Sequence, residues 1–196
     1  FGSIESTFFN QDQLKNVVDF VSTRGGGFMM MGGRNSFAAG RYENSPLADI
    51  LPVQMSSGDR TPIIGRLKLG ITDYGRTHPL MRLSSDASAN VKQWNDLPPL
   101  NDFNKTLEAK VGAVVLARGQ SDQKSSGDPI LLAFQRYGRG RTMALASSST
   151  WRWQMQMDAK DQTYELFWKQ ILRWLVNTSP DPVMIQSDKD TYLPGE

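Results

Sequence analysis

The chain has 196 residues, 39% of them hydrophobic, enough to fill one sizeable core or one domain plus the start of another. A net charge of +2, with Lys and Arg spread along the chain, leaves no electrostatic footprint for nucleic acid or a membrane surface. There is no cysteine and a single histidine, His78, which rules out disulfides, a thiol nucleophile, Cys-ligated zinc and a His-rich metal site. Asp and Glu are scattered without the regular spacing of a calcium loop, so neither a metal nor a cofactor is expected.

In chain order, residues 1–5 read as the end of a strand already under way. Phe1 opens the sequence without an initiator Met or a signal-peptide pattern, so the segment is expected to belong to something longer. An uncovered strand edge there would recruit a second copy, giving a homo-oligomer. No apolar run approaches the ~20 residues needed to cross a bilayer.

Asn10 with Gln13 forms a capping-box pattern, and Leu14, Val17, Val18 and Val21 fall on one helical face. Arg24 and Gly25 end that helix and open the stretch around which the chain is organised, residues 24–40. Its apolar centre, 28–31, lies between glycines and reads as a central strand covered on both faces. Gly32 and Gly33 then turn the backbone where the strand leaves the sheet. That is where ligands bind in open α/β sheets, and bare N–H groups are expected there.

Ser45 and Pro46 open a short helical turn through Ile50, and a strand is expected around Val53. Leu67, Leu69 and Ile71 alternate with Arg66, Lys68 and Gly70, the period of a half-exposed strand. The polar, Pro-containing run 84–104, anchored by Trp94, reads as a long surface connection. Residues 111–117 predict a second central strand, and 121–128 a polar loop. Residues 130–135 and 142–146 predict antiparallel strands joined by a Gly-containing turn, which makes the sheet mixed. Tyr164, Phe167, Trp168, Ile171, Leu172, Leu175 and Val176 mark a long helix that packs on the sheet and stops before Pro180 and Pro182. The expected division is one domain over 1–180, followed by a linker and the first strand of a β-sandwich module over 181–196.

Gly25-Gly26-Gly27 before an apolar strand, Gly32-Gly33-Arg34-Asn35-Ser36-Phe37 after it, His78-Pro79 midway, the Gly138-Arg139-Gly140-Arg141 hairpin and Trp151-Arg152-Trp153 late together resemble the glutamine-amidotransferase-like domains of large bacterial envelope proteins. The resemblance covers nearly the whole chain, and the His-Pro segment and basic hairpin are also similar to the trehalose-utilisation branch of that superfamily. It implies the class I amidotransferase fold: a three-layer, flavodoxin-like mixed α/β sheet flanked by helices, with a C-terminal hairpin and long helix. It further implies von Willebrand A-type and immunoglobulin-like neighbours in the same chain, and a periplasmic or membrane-anchored full-length protein.

The departures from that pattern bear on chemistry. A class I amidotransferase carries a Cys nucleophile on a strand-end elbow and a His–Glu pair after a later strand. Here the elbow region holds Gly32, Gly33 and Arg34, and the late position holds Trp151-Arg152-Trp153. The resemblance therefore implies a non-catalytic binding or scaffolding module. The alternatives are an amidotransferase or hydrolase that uses Ser36 and His78 or a bound water, and a purely structural spacer.

The candidate ligand-binding residues are Gly32, Gly33, Arg34, Asn35, Ser36, His78, Trp151, Arg152 and Trp153, each with a plainer reading beside it. Gly32 to Ser36 is a ligand cradle or a steric requirement, and Ser36 is a nucleophile or a turn residue. His78 is a base or a hydrogen-bonded turn residue. Trp151 and Trp153 stack on a sugar ring with Arg152 beside them, or pack in the core. The Arg139 and Arg141 hairpin holds an acidic group or is solvated. The ligand's identity is left open.

Overall fold

The computed structural model describes residues 1–106, 108–120 and 128–177. The expected loop 121–128 lies almost wholly outside the described residues, and the expected tail module 181–196 entirely so. Six strands form one mixed sheet: β1 Gly27–Met31, β2 Ile63–Ile71, β3 Leu100–Phe103, β4 Val114–Gln120, β5 Ile130–Tyr137 and β6 Gly140–Leu145. They lie in the order β1-β6-β5-β4-β2-β3. The β1–β6 pair is parallel, and the other pairings are antiparallel.

Helices cover both faces. On one, α1 Gln11–Ser22 and α2 Pro46–Ile50 place Leu14, Val21, Leu47 and Ile50 against Phe28, Met30, Ala133, Ala144 and Ala146. The short α3 Asp73–Thr77 follows β2. On the other face, α4 Ala87–Asp96, α5 Trp151–Gln156 and α6 Thr163–Val176 pack on Leu116, Leu132, Phe134, Met143 and Leu145. Strand β6 shows how the period-2 pattern sorts the layers. Met143 and Leu145 face the large aromatic layer, while Ala144 and Ala146 let the α1 side approach closely. The three-layer mixed α/β architecture matches the expectation.

Several local expectations hold. The capping box at Asn10 forms, its side chain accepting the Gln13 N–H at 2.8 Å while the Gln13 side chain accepts the Asn10 N–H at 3.0 Å. The β5–β6 hairpin is antiparallel, with Tyr137 opposite Gly140. Proline opens α2, although Ser45 Oγ turns back to Tyr42 O instead of capping the helix.

Other expectations need correction. Strand β1 is the outermost strand of the sheet on its side, not a central one, and its burial alternates. Phe28 and Met30 are buried beneath α1, whereas Met29 and Met31 are half-buried, because only the C-terminal end of α6 covers that side. A run of large apolar residues therefore marked an edge strand with one well-covered face. Residues 1–5 form no strand. They give a single parallel bridge, Gly2 to Met31, flanked by the Phe1 amine to Met29 O at 3.0 Å and Met31 N–H to Phe1 O at 2.8 Å. Around Val53 there is likewise only one bridge, to Ala109. The second central strand begins at Val114 and ends at Gln120, leaving Val111 fully exposed.

Residues 84–104 depart furthest from expectation, forming a helix and a strand rather than a connection. Asp86 caps α4 by accepting the Ala89 N–H at 2.7 Å, and Asn90 and Trp94, four residues apart, are both buried. Trp94 meets Trp153 and Phe167 edge-on at 6.1 and 5.8 Å, and its indole N–H donates to Met81 O at 2.8 Å. This aromatic cluster joins α4, α5 and α6 into one layer. Replacing Trp94→Ala is expected to cost ~3–5 kcal/mol in urea unfolding, with Trp94→Phe costing less. A loss under ~1 kcal/mol for Trp94→Ala would show that the layer does not depend on this contact.

Candidate functional site

The site forms where the parallel strands β1 and β6 end. A strand-pairing irregularity between Ile64 and Leu67 lets β2 switch partners, pairing with β4 through its second half and with β3 through its first. Strand β3 is thereby carried across the ends of the parallel pair. Asn101 N–H donates to Ser149 Oγ at 3.2 Å and Asn104 N–H to Ala146 O at 2.7 Å.

Asn104, buried just past β3, ties the turn that follows β1. Its Oδ1 accepts the Gly33 N–H at 2.8 Å, and its Nδ2 donates to Gly33 O at 3.1 Å and Ser36 O at 3.2 Å. Gly32 N–H is spent on Leu145 O at 2.7 Å. Both glycines are required here. A Cβ on Gly32 would stand 2.5 Å from Ser147 N, and Gly33 has φ +146° with Ser3 Oγ 2.0 Å from where its Cβ would be. The bare amides expected at Gly32 and Gly33 are thus already occupied. Among the turn amides, those of Arg34 and Asn35 donate to no described residue.

Ser36 is not an accessible nucleophile. It is buried, its backbone is extended (φ −116°, ψ 160°), and its Oγ accepts the Ser3 N–H at 2.9 Å. The positive φ of 53° falls on the next residue, Phe37, whose ring goes into the core beside α1. In a nucleophile elbow the sharp turn presents the reactive side chain outward. Here it sends an aromatic inward.

His78 lies elsewhere, packed on Phe134 at 5.0 Å and Tyr74 at 5.6 Å between ring centroids. Its Nδ1 accepts the Leu80 N–H at 3.2 Å, and burial lowers its pKa. It makes no described contact with Ser36, and it begins the 3₁₀ turn Pro79–Met81 as a cap. Trp153 is core, with its indole N–H on Pro98 O at 2.9 Å. Arg141 is held by Trp174, donating to its backbone O at 2.7 Å with the guanidinium 5.3 Å from the indole centroid. The basic hairpin is therefore partly built into the fold.

Four of the nine candidates do converge. Gly33, Arg34, Trp151 and Arg152 line one cleft of about 720 Å³, a volume in the range of small-molecule sites. Gly32, Asn35, Ser36, His78 and Trp153 do not line it. Thr61, Pro62 and Ile64, leading into and along β2, make a second wall. Asn101, Asp102, Ser148 and Ser149 lie between. Sequence reading missed these groups, because β3 sat inside an apparent connection. The three consecutive serines after an apolar strand were the available signal.

Asp102 is the acidic residue of the cleft, and it is well solvated by protein. Ser147 Oγ donates to its Oδ1 at 3.2 Å; Ser148 donates to its Oδ2 through Oγ at 2.6 Å and through the backbone N–H at 3.3 Å. The Arg152 guanidinium lies 5.8 Å from the Trp151 ring centroid, and its Nε is enclosed without a partner. Among the described residues no cluster of three His, Asp or Glu could hold a metal ion.

A mixed, helix-flanked sheet with its cleft at the carboxyl ends of the parallel strands defines an α/β domain of the class I amidotransferase type. The chain belongs to the family described as "Putative glutamine amidotransferase", which matches residues 4–177. Two solved structures from Salmonella typhimurium are similar. Cytoplasmic protein STM1381 of strain LT2 is 27% identical with a TM-score of 0.64, over 85% of this chain and 61% of its own. Cytoplasmic protein STM3548 is 24% identical with a TM-score of 0.67, over 89% of this chain and 70% of its own. This chain therefore spans about three fifths of the STM1381 chain. No curated protein matches it.

Two measurements test the site as built. Asn104→Ala leaves the Gly33 N–H without its acceptor and removes one of two donors from Gly33 O and from Ser36 O, which keep the Ser36 and Gly40 amides, so it is expected to cost ~2 kcal/mol, against ~1 kcal/mol for Ser36→Ala. Equal costs in denaturant titrations would contradict the clamp. For His78, a folded pKa below the ordinary 6.5 means that the unfolded chain binds the proton more readily. Stability is then full above 6.5 and declines as pH falls through the window below it, and His78→Gln flattens that slope. An unchanged slope in His78→Gln between pH 6.5 and the carboxylate range would contradict the assignment.

Proposed function

We propose that this domain is a non-catalytic, ligand-binding member of its family. The observation that carries the reading is the state of Ser36, a hydroxyl that is buried, bonded to Ser3 and out of contact with His78. Amide hydrolysis near neutral pH needs a nucleophile made reactive by an adjacent base, and the members of such a unit lose their effect together when one is removed. This chain has no thiol, and its one histidine lies against Phe134. What is kept is the cleft at the strand ends, and binding needs no nucleophile.

A second reading has one observation in its favour. Ser148 donates to Asp102 at 2.6 Å within the cleft. A carboxylate alone is a weak base for a serine hydroxyl, and a third group to complete the relay is missing among the described residues. Hydrolysis therefore ranks second. No described helix is long and apolar enough to cross a membrane. An envelope setting with neighbouring modules rests on family resemblance alone, while the similar Salmonella proteins are described as cytoplasmic.

The test is ammonia release from glutamine by the purified chain, run beside Ser36→Ala, His78→Ala and Ser148→Ala. All four proteins are expected to stay at background. Turnover in the parent that disappears in any variant overturns the non-catalytic reading, and the variant that abolishes it names the nucleophile or base.

A further inference from the structure

The charges in the cleft do not balance. Arg34 and Arg152 both line it, and neither guanidinium forms an ion pair or donates a hydrogen bond to any described residue. The one carboxylate among the lining residues, Asp102, takes its hydrogen bonds from Ser147 and Ser148 instead of from either arginine. An adjoining hollow of about 400 Å³ shares Ile64, Asn101 and Arg152 and adds a third guanidinium, Arg66. Positive charge gathered in a concave site with poorly polarisable walls concentrates its potential there and draws anions.

The arginines are also set for a particular kind of anion. The Arg152 guanidinium lies over the Trp151 ring, 5.8 Å from its centroid, and its Nε is enclosed. A planar fork with its stem enclosed offers paired N–H groups to two oxygens at once, the geometry of a carboxylate or a phosphate. Across the cleft stand Pro62 and the largely exposed Ile64, with Trp151 half-exposed, so the surface next to the charge is apolar. A bare inorganic anion would leave that surface wet.

We propose that this cleft binds a small oxyanion ligand, a carboxylate or phosphate on a ring-shaped or apolar body. Arg152 and Arg34 are its charge partners, and Trp151, Pro62 and Ile64 meet the body. The proposal rests on reading the domain as a binding module and names the class of ligand that module takes.

The test is a titration of the ¹⁵N-labelled chain, following the Trp151 indole N–H signal identified with Trp151→Phe. Phenylacetate and phenyl phosphate supply the two oxyanions on one body, and phenylacetamide is the uncharged counterpart of the first. Ligands of about ten non-hydrogen atoms reach a Kd on the order of 1 mM. A saturable shift in that range is expected for at least one oxyanion, with phenylacetamide roughly tenfold weaker. The tighter of the two anions tells carboxylate from phosphate.

Arg152→Gln and Arg34→Gln should each weaken the oxyanion severalfold without changing phenylacetamide. Arg34 is exposed, so its variant keeps the test valid if Arg152→Gln does not fold. No saturable shift up to ~10 mM of either oxyanion, equal binding of the amide, or unchanged affinity in both variants overturns the proposal. A null titration sinks the ligand class alone, whereas ammonia release from glutamine sinks the non-catalytic reading and leaves the titration standing.

Discussion

One buried side chain, Asn104, decides what the strand ends can do. Its amide satisfies Gly33 from both sides and holds Ser36 O, while its own backbone N–H reaches Ala146. The ends of β1, β3 and β6 are thereby locked to one another. A buried backbone group left unpaired is costly, so a turn lined with glycine amides needs either a ligand or a protein partner. Here the partner is built in. The same bonds that make the turn rigid remove Gly33 from the donors an oxyanion could use.

That substitution shapes the rest of the cleft. With the turn closed around Asn104 and Phe37 pointing inward, no reactive side chain is presented at the end of β1. Besides the unbonded turn amide of Arg34, the cleft presents side chains on its rim: Arg34 after β1, Trp151 and Arg152 after β6, and Pro62 and Ile64 at the start of β2. In the proposed binding role these groups act by charge and by apolar surface. Asp102 offsets only part of the charge of the two arginines and forms no ion pair with either among the described residues, its oxygens being engaged by the serines that follow β6.

How much of this was legible in the sequence follows from which signals are local. The capping box at Asn10, the β5–β6 hairpin and the wide apolar stripe of α6 are written in neighbouring residues, and each was readable. The place of β1 at the edge was not, since apolarity reports burial of side chains and not the number of strands beside a backbone. Helix α4 was hidden by its polar face, which left Trp94 as a lone anchor when Asp86 and Asn90 completed the pattern. Of the site, Gly33, Arg34, Trp151 and Arg152 were read as candidates, and the structure brings them together. Asn104 and Asp102 were invisible because their roles depend on β3 crossing the strand ends, a contact between residues 71 positions apart in the case of Gly33 and Asn104.

The clamp can be read directly from hydrogen exchange at the Gly33 amide, followed by NMR in the native chain and in Asn104→Ala. If Asn104 Oδ1 holds that N–H, Gly33 exchanges slowly in the native protein, alongside the β6 amides, and loses its protection in the variant while β6 keeps its own. Native exchange of Gly33 at the rate of an open loop would contradict the clamp. It would return the turn after β1 to the set of groups free to act on a ligand.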